Sequence, residues 1–393
     1  MNQIKLFSFR YQILTTLCCA CLMTGAVQAR EDYPQPTPKE KTSLKEGSYK
    51  RYEGTIAKLP VVVLLQENEG VVEGSYYYEK TGNTIAINGS PINGTDSVVL
   101  YEYDRSYFVQ GTEAPPVWNV IIKGKEIKGR WTDPNKNKSY EIALTESYPD
   151  GVQLFRMVNY YDSVIAFPEK GAESPKARTS YTLPLLVSDN TSSEAWFTAQ
   201  LKHLLDIHES QLSVGVKNKM DSFLKSYQDE LGTWDSTMKE EMLSPSWNYE
   251  QSVEFSIAYN AHQMITLSQH YYDYMGGAHG NYSTFFTNLD LQLQKTWKLS
   301  DVLHADSTTL QQLLETAFRK EYRIPAPKPL TELLFDSTLA TTDNFYICEK
   351  GIKFLYNPYE IASYADGQIT LFIPYTQLKN YLTEAFKKRM SLQ

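Results

Sequence analysis

Short stretches of β-forming residues follow one another without a break from Tyr49 to Glu146. Turn signals separate these stretches at close intervals, among them Glu69-Gly70 and Asn93-Gly94. Glycine and asparagine accept the positive φ angles of tight hairpin turns, so successive stretches should pair as antiparallel neighbours. An open meander leaves two edge strands unpaired, whereas closure into a barrel removes both edges. The sequence therefore predicts a small β-barrel-like domain over residues 48–147.

A weak similarity between two segments supports a repeated hairpin unit within this domain. Val72-Glu73-Gly74-Ser75-Tyr76 and Ile127-Lys128-Gly129-Arg130-Trp131 both place a glycine before a polar residue and a large aromatic residue. The pattern resembles the small lipocalin-like β-domains at the front of some exported bacterial proteins. A barrel of about eight strands is either filled by side chains or holds one small ligand, and the sequence leaves both open.

Beyond Tyr148 the hydrophobic period changes. Helical spacing appears first, with Phe197 and Leu201 on one face, and Val253, Phe255 and Ile257 later alternate with polar residues as in a strand. We expect a helical lead-in with strands over 150–251 and a second unit over 252–388. The predicted fold class is an all-β N-terminal meander or small barrel followed by an α+β domain with an antiparallel sheet and flanking helices.

The N-terminus has the features of an export signal. Lys5 and Arg10 precede an apolar run, Ile13–Met23, and Val27 and Ala29 are small residues at the spacing that signal peptidase requires. This run is about half the ~20 residues of a membrane span. We expect a signal peptide over 1–29 and an exported mature chain, in the periplasm or cell envelope. The alternative is lipoprotein processing at Cys21.

Two further features describe the mature chain before any motif is considered. Residues 30–47 contain three prolines and few apolar side chains, which predicts a flexible tether. The whole chain has a net charge of −8, and removal of the two cations in residues 1–29 leaves −10. An acidic protein has no general electrostatic attraction to nucleic acid, so no nucleic-acid partner is expected. Cys348 is the one cysteine outside the signal peptide, so neither an internal disulfide nor a structural zinc site is expected.

One motif is specific enough to indicate a family. Met275-Gly276-Gly277-Ala278-His279-Gly280-Asn281 lies between two predicted strands, and Asn357-Pro358-Tyr359-Glu360-Ile361-Ala362 and Tyr364-Ala365-Asp366-Gly367 follow it. In order and spacing these segments resemble the extracellular domain shared by the lysozyme-responsive anti-sigma factor RsiV and the peptidoglycan deacetylase PdaC. The resemblance covers about 252–381 well and 178–249 more weakly.

The resemblance implies a domain that binds at the cell envelope, because it binds lysozyme in the anti-sigma factor and accompanies a separate catalytic domain in the deacetylase. Only a dozen residues precede the apolar run, so we expect no sigma-factor partner. The metal-binding Asp-His-His module of the deacetylase is absent from the sequence. We therefore expect a non-catalytic exported binding protein whose partner is a lysozyme-like protein or a peptidoglycan fragment, with no cofactor and no metal.

The candidate binding residues flank the two recognisable loops: they are His279, Tyr282, Tyr359 and Tyr364. Gly276, Gly277 and Gly280 are expected to shape the loop backbone. The tyrosines would stack on sugars or meet a protein, although cross-strand packing is the commoner role of such residues. The alternative function is an envelope-glycan-modifying enzyme centred on the Gly-Gly-Ala-His-Gly loop, with His279 as a general base.

Overall fold

A computed structural model of the chain describes residues 43–103, 114–135, 137–232 and 244–392. The predicted signal peptide and residues 30–42 of the predicted tether lie outside these ranges. The strands are β1 (Ser43–Ile56), β2 (Leu59–Asn68), β3 (Val71–Tyr78), β4 (Thr84–Pro91), β5 (Ser97–Tyr103), β6 (Val117–Lys123), β7 (Glu126–Thr132), β8 (Ser139–Glu146), β9 (Leu154–Ile165), β10 (Lys176–Val187), β11 (Tyr249–Ala261), β12 (Met264–Tyr274), β13 (Asn281–Asp290), β14 (Lys295–Trp297), β15 (Phe345–Ile347), β16 (Gly351–Tyr356) and β17 (Ile369–Pro374). The α-helices are α1 (Thr191–Leu204), α2 (Leu212–Leu231), α3 (Leu299–Val302), α4 (Ser307–Glu321), α5 (Tyr375–Leu378) and α6 (Glu384–Arg389). Short 3-10 helices cover Pro168–Glu173, Pro245–Trp247, Leu330–Glu332 and Tyr364–Asp366.

Strands β1 to β8 form a closed up-and-down barrel in which each strand pairs with the next and β8 returns to β1. The closing pairs run from Tyr52 opposite Glu146 to Ile56 opposite Ile142. Large apolar side chains fill the interior, and those buried there include Tyr52, Tyr76, Leu100, Trp118, Ile127 and Leu144. The predicted eight-stranded barrel is therefore confirmed, and packed side chains occupy its interior.

A carboxylate lies within this apolar interior. Glu102 has no exposed surface, and its Oε1 accepts hydrogen bonds from Tyr76 Oη at 2.6 Å, Trp118 Nε1 at 2.8 Å and Trp131 Nε1 at 2.6 Å. Buried polar atoms are stable where such donors replace water. Glu102 thus orients three aromatic side chains of β3, β6 and β7.

The tether prediction is wrong for residues 43–47, because β1 begins at Ser43 and this part of it is strand. The backbone from Ser43 to Ser48 pairs antiparallel with Tyr161 to Arg156 of β9. The sheet therefore continues from the barrel into the second half of the chain, in the order β14-β13-β12-β11-β10-β9-β1-β2 and on to β8. Composition alone missed this segment because a long-range backbone pairing decides its conformation.

The second half is the predicted α+β unit. The sheet β9 to β14 is antiparallel except for the β10–β11 pair, which is parallel. A parallel pair needs a crossover connection, and α1 and α2 form it. Asn190 caps α1 by accepting from the amides of Ser192 and Ser193.

The core beneath these helices is shared with the barrel. Its buried residues include Phe155, Leu183, Phe197, Leu201 and Phe255 from the second half. Four barrel residues belong to the same core, namely Tyr49, Val62, Leu64 and Tyr77. The outer face of the barrel therefore completes the apolar core of the α+β unit.

A three-stranded antiparallel sheet, β15-β16-β17, lies beside β13 and carries α4 on its apolar face. Asn288 joins the two sheets: its Oδ1 accepts from Ile347 N at 3.0 Å and its Nδ2 donates to Phe345 O at 3.1 Å. The C-terminal segment forms two short helices, α5 and α6. Thr383 separates them because its hydroxyl caps α6 at Phe386 N. Within the described ranges, no helix has the length and apolarity of a membrane span.

We predict that separation of the chain at residue 148 affects its halves unequally. Residues 43–147 keep the barrel core and should melt cooperatively, whereas residues 150–393 lose the β1 partner of β9 and four core side chains. Thermal denaturation followed by circular dichroism should show a lower midpoint for 150–393 than for the intact chain. An unchanged midpoint in the fragment would show that the shared core contributes little.

Candidate functional site

The glycine loop, residues 275–280, connects β12 to β13 and turns on two left-handed residues. Gly276 has φ +87° and Gly277 has φ +97°, values that side chains with a Cβ rarely adopt. The Tyr274 hydroxyl donates to Gly277 O at 2.9 Å and holds the loop against its own strand.

Gly280 has a different role, because its φ is not positive. A Cβ at this position would lie 2.6 Å from the Tyr272 ring. Gly280 therefore lets the ring of Tyr272 lie directly against the backbone at the start of β13. Of the three predicted loop glycines, Gly276 and Gly277 supply positive φ angles and Gly280 allows a close contact with the Tyr272 ring.

The four candidate binding residues converge on one aromatic cluster, which we call the loop patch: His279, Tyr282, Tyr359 and Tyr364. The Tyr364 ring is central. The His279 ring stacks on it with centroids 4.0 Å apart, Tyr282 meets it edge-on at 5.6 Å, and Tyr359 lies 5.7 Å away. Tyr359 is 56% exposed, His279 is exposed, and the other two are half-buried.

Hydrogen bonds to one carbonyl hold the patch in place. The Tyr364 hydroxyl donates to Gly280 O at 2.7 Å, and His279 Nδ1 lies 2.9 Å from the same oxygen, which makes this nitrogen a donor. The imidazole of His279 thus fixes the glycine loop, as expected for a turn residue. Gly367 leaves room for the patch: its φ is +64°, and a Cβ there would lie 3.3 Å from the Tyr282 hydroxyl.

A polar network beneath the patch joins the two loops. The buried Asn357 accepts from Thr284 N at 2.7 Å and from Gln368 Nε2 at 3.0 Å. Its amide nitrogen donates to Thr284 O at 3.2 Å. The Thr284 hydroxyl lies 2.9 Å from His270 Nδ1 and accepts from Gln368 Nε2 at 2.8 Å. Burial lowers the pKa of His270, which favours the neutral ring, while the nearby Glu254 acts in the opposite direction.

The segments that carry the patch are acidic. Residues 270–282 and 357–368 contain Asp273, Glu360 and Asp366 and no lysine or arginine. The patch therefore combines exposed ring faces with a negative surrounding, a combination that suits a basic protein surface or a sugar ring.

Among the described residues we find neither a metal-binding cluster nor a reactive thiol. No set of three or more His, Cys, Asp and Glu side chains among them is positioned to hold a metal ion. Cys348 is buried, and burial raises the pKa of its thiol to about 12, so it is an inert core residue. The Nδ1 atom of His279 bonds to Gly280 O in the backbone of its own loop.

The sequence motifs identified the aromatic residues of the patch but not the polar network beneath them. His270 and Thr284 are directly opposite each other on β12 and β13, and Gln368 is 84 residues from Thr284 in the chain. Alternation along β12 and β13 could have placed His270 and Thr284 on the same face. No local signal joins Gln368 to them, because the contact depends on how the two sheets pack.

Two family models match the second half of the chain. Residues 173–282 match the family model described as deacetylase PdaC, and residues 284–376 match the model described as a protein of unknown function, DUF3298. The predicted C-terminal domain of PdaC and RsiV type is therefore confirmed. The two matches meet at residue 283, inside β13, whereas the sequence analysis divided this part of the chain at 251.

Two relatives illustrate the similarity. The peptidoglycan-N-acetylmuramic acid deacetylase PdaC of Bacillus subtilis (strain 168) is 25% identical over 173 residues, which are 43% of this chain and 37% of that protein. This chain thus matches little more than a third of its relative's length. A solved structure of a DUF3298 family member from Bacteroides fragilis NCTC 9343 is 22% identical, covers 62% of this chain and 100% of its own, has a TM-score of 0.54 and shows a shared fold. The relationships support a cell-envelope-associated domain.

Gly277→Val tests the conformation of the glycine loop. No atom lies within 4 Å of a Cβ at this position, so the cost arises from the φ of +97° and should be about 1–3 kcal/mol of unfolding free energy. Urea denaturation measures it. Ala278→Val, at the next exposed position with no positive φ, is the control and should leave stability nearly unchanged. Equal effects of the two changes would contradict this account.

Asn357→Asp tests the network beneath the patch. The substitution removes the donor to Thr284 O and adds a charge beside Glu360, so we expect a loss of about 2–4 kcal/mol at neutral pH. Denaturation near pH 4 should recover part of it, because the protonated acid regains an O–H donor. The exposed Asn281→Asp is the matched control. A loss that is the same at both pH values would argue against the buried charge as its cause.

Proposed function

We propose that the protein is a non-catalytic exported binding protein of the cell envelope, and that its ligand binds at the loop patch. One observation carries the proposal: four aromatic side chains from two distant loops form a partly exposed cluster fixed by hydrogen bonds to Gly280 O. A rigid, exposed aromatic cluster loses little conformational entropy when it binds.

Peptidoglycan glycan is the first candidate ligand. Tyr359 and His279 are exposed side chains, so each can offer ring surface to a sugar, and a tyrosine hydroxyl can also bond to a sugar hydroxyl. The relationship to PdaC, whose name gives peptidoglycan as its substrate, supports the same choice.

A basic lysozyme-like protein is the second candidate. The acidic residues Asp273, Glu360 and Asp366, in the segments that carry the patch, favour a positively charged partner. Complementary charge would speed association and make it sensitive to salt. A sugar ligand would bind with little salt dependence, which separates the two candidates.

The alternative of an envelope-glycan-modifying enzyme requires His279 to act as a base. Its Nδ1 bonds to Gly280 O and one face of its ring is covered by Tyr364, so Nε2 would have to be the atom that accepts the proton. The observed contacts of the ring serve the loop and the patch. The binding role is therefore preferred.

The experiment is a titration of the mature chain with solubilised peptidoglycan and with a basic lysozyme, at low and moderate salt. Tyr359→Ala and His279→Gln should each weaken binding at least about tenfold, because each removes an exposed ring from the patch. Tyr101→Ala is the matched control, since Tyr101 is a 40% exposed tyrosine on the barrel, and it should bind as the unmodified chain does. Melting temperatures establish that the variants fold.

Three outcomes would change the proposal. Equal binding by Tyr359→Ala and the unmodified chain would place the ligand elsewhere. If a folded chain binds neither peptidoglycan nor lysozyme at low salt, both candidate ligands are ruled out. Release of acetate or cleaved glycan that His279→Gln abolishes at an unchanged melting temperature would favour the enzyme.

A further inference from the structure

A cleft of about 390 Å³ opens at the outer edge of β13, the edge away from β12. The loop before β15 forms one side of it, and the segment that leads from β14 into α3 forms the other; we call it the edge cleft. Three aromatic residues line it, of which Trp297 and Phe345 are buried and Phe286 is half-buried. Its volume is within the range of small-molecule sites, and its wall is largely apolar.

The backbone of β13 directs hydrogen-bonding groups toward this edge. Phe286 N donates to Asn344 Oδ1 at 3.0 Å, and Thr284 O accepts from Asn344 Nδ2 at 2.7 Å. In a paired strand the N–H and C=O of one residue bond to the same neighbour, so they point to the same edge. The carbonyl oxygen of Phe286 therefore points outward, as its amide does.

The pairing of β13 with β14 ends before it reaches this oxygen. The pairs run from Asp290 opposite Lys295 to Asn288 opposite Trp297, and the chain then turns into α3. Among the described residues, no loop amide or side chain donates a hydrogen bond to Phe286 O. The edge cleft thus lies where the next residue of a partner strand would be, and it presents an acceptor that a ligand can use.

The edge offers room for one amide rather than for an extended peptide. A peptide strand needs a donor and an acceptor at alternate residues, but Asn344 already uses the amide of Phe286. The neighbouring outward positions, Thr284 and Asn288, are also occupied, by asparagine side chains and by β14. A ligand therefore needs to supply a single N–H donor.

The other lining groups favour a neutral ligand. Lys298 and Asp343 are exposed at the rim, so one cation and one anion cancel in the lining. The Ser300 hydroxyl is exposed and can donate to a carbonyl oxygen. The aromatic wall suits a methyl group. One N–H, one carbonyl and one methyl are the three parts of an acetamido group.

We propose that the edge cleft binds the acetamido group of an N-acetylated amino sugar. Its N–H donates to Phe286 O, its carbonyl oxygen accepts from the Ser300 hydroxyl, and its methyl group packs against the aromatic wall. Phe286 is four residues from Tyr282 along β13, a distance of about 13 Å. Binding in the cleft therefore does not require the loop patch.

Selective labelling of the full chain reports the Phe286 carbonyl directly. The dipeptide Phe-Thr occurs twice in the sequence, at Phe197-Thr198 in α1 and at Phe286-Thr287 in β13. Carbonyl-¹³C phenylalanine with ¹⁵N threonine therefore gives two carbonyl-to-amide NMR signals. N,N′-diacetylchitobiose should shift the Phe286-Thr287 signal saturably, because a hydrogen bond to a carbonyl changes its resonance, and should leave the Phe197-Thr198 signal in place. Cellobiose, a disaccharide without acetamido groups, should shift neither.

Variants test whether this binding takes place in the cleft. Ser300→Trp fills the cleft from an exposed position and should weaken the binding of diacetylchitobiose at least about tenfold. Ser337→Trp is the matched control, since Ser337 is exposed and outside the lining, and it should bind as the unmodified chain does. Tyr359→Ala should also bind unchanged, which separates this site from the loop patch. Melting temperatures establish that each variant folds.

Four outcomes would overturn the proposal. Absence of a saturable shift in the folded chain would show that Phe286 O meets only water. An equal shift with cellobiose would show that the acetamido group is not recognised. A stronger response to trialanine, which has peptide amides and no sugar, would assign the cleft to peptides. Equal binding by Ser300→Trp and Ser337→Trp would place the sugar elsewhere.

Discussion

The pairing of β1 determines how the two halves of the molecule are related. Its first part pairs with β9 and its last part closes the barrel against β8, while β2 covers the other edge along Ser48–Ile56. A single strand therefore belongs both to the barrel and to the sheet of the α+β unit. The barrel is therefore attached to the α+β unit through backbone hydrogen bonds, and its outer residues Tyr49 and Leu64 are buried in the core of that unit.

At the β13 edge of the sheet, asparagine side chains bond to the strand backbone. Beyond Thr284 the outer edge of β13 has no long partner strand, and Asn344, Asn357 and Asn288 bond to its backbone or to β15 instead. An amide side chain offers the same donor and acceptor as a peptide unit, so it satisfies an edge that would otherwise be exposed. Asn357 begins the loop that carries Tyr359 and Tyr364, so closure of this edge also fixes the position of the patch.

The sequence predicted the elements whose cause is local and missed those whose cause is distant. Alternation and turn residues located the barrel strands, because hairpin pairing is set by residues close in sequence. The start of β1 at Ser43 and the parallel pairing of β10 with β11 depend on contacts between distant segments, which no local pattern contains. Likewise the motifs indicated which tyrosines belong to the loops, but the stacking of His279 on Tyr364 required the packing of β13 against the small sheet.

The loop patch lies at the end of a polar row on one face of the sheet. Glu254, His270 and Thr284 are successive neighbours across β11, β12 and β13, and Tyr282 follows on the same face two residues before Thr284. The His270 ring lies 5.9 Å from that of Tyr282, which contacts Tyr364. His270 therefore supports the patch from beneath, through its hydrogen bond to Thr284 and its ring contact with Tyr282. The strand β12 thus helps to set the geometry of the exposed rings, although His270 is not one of them.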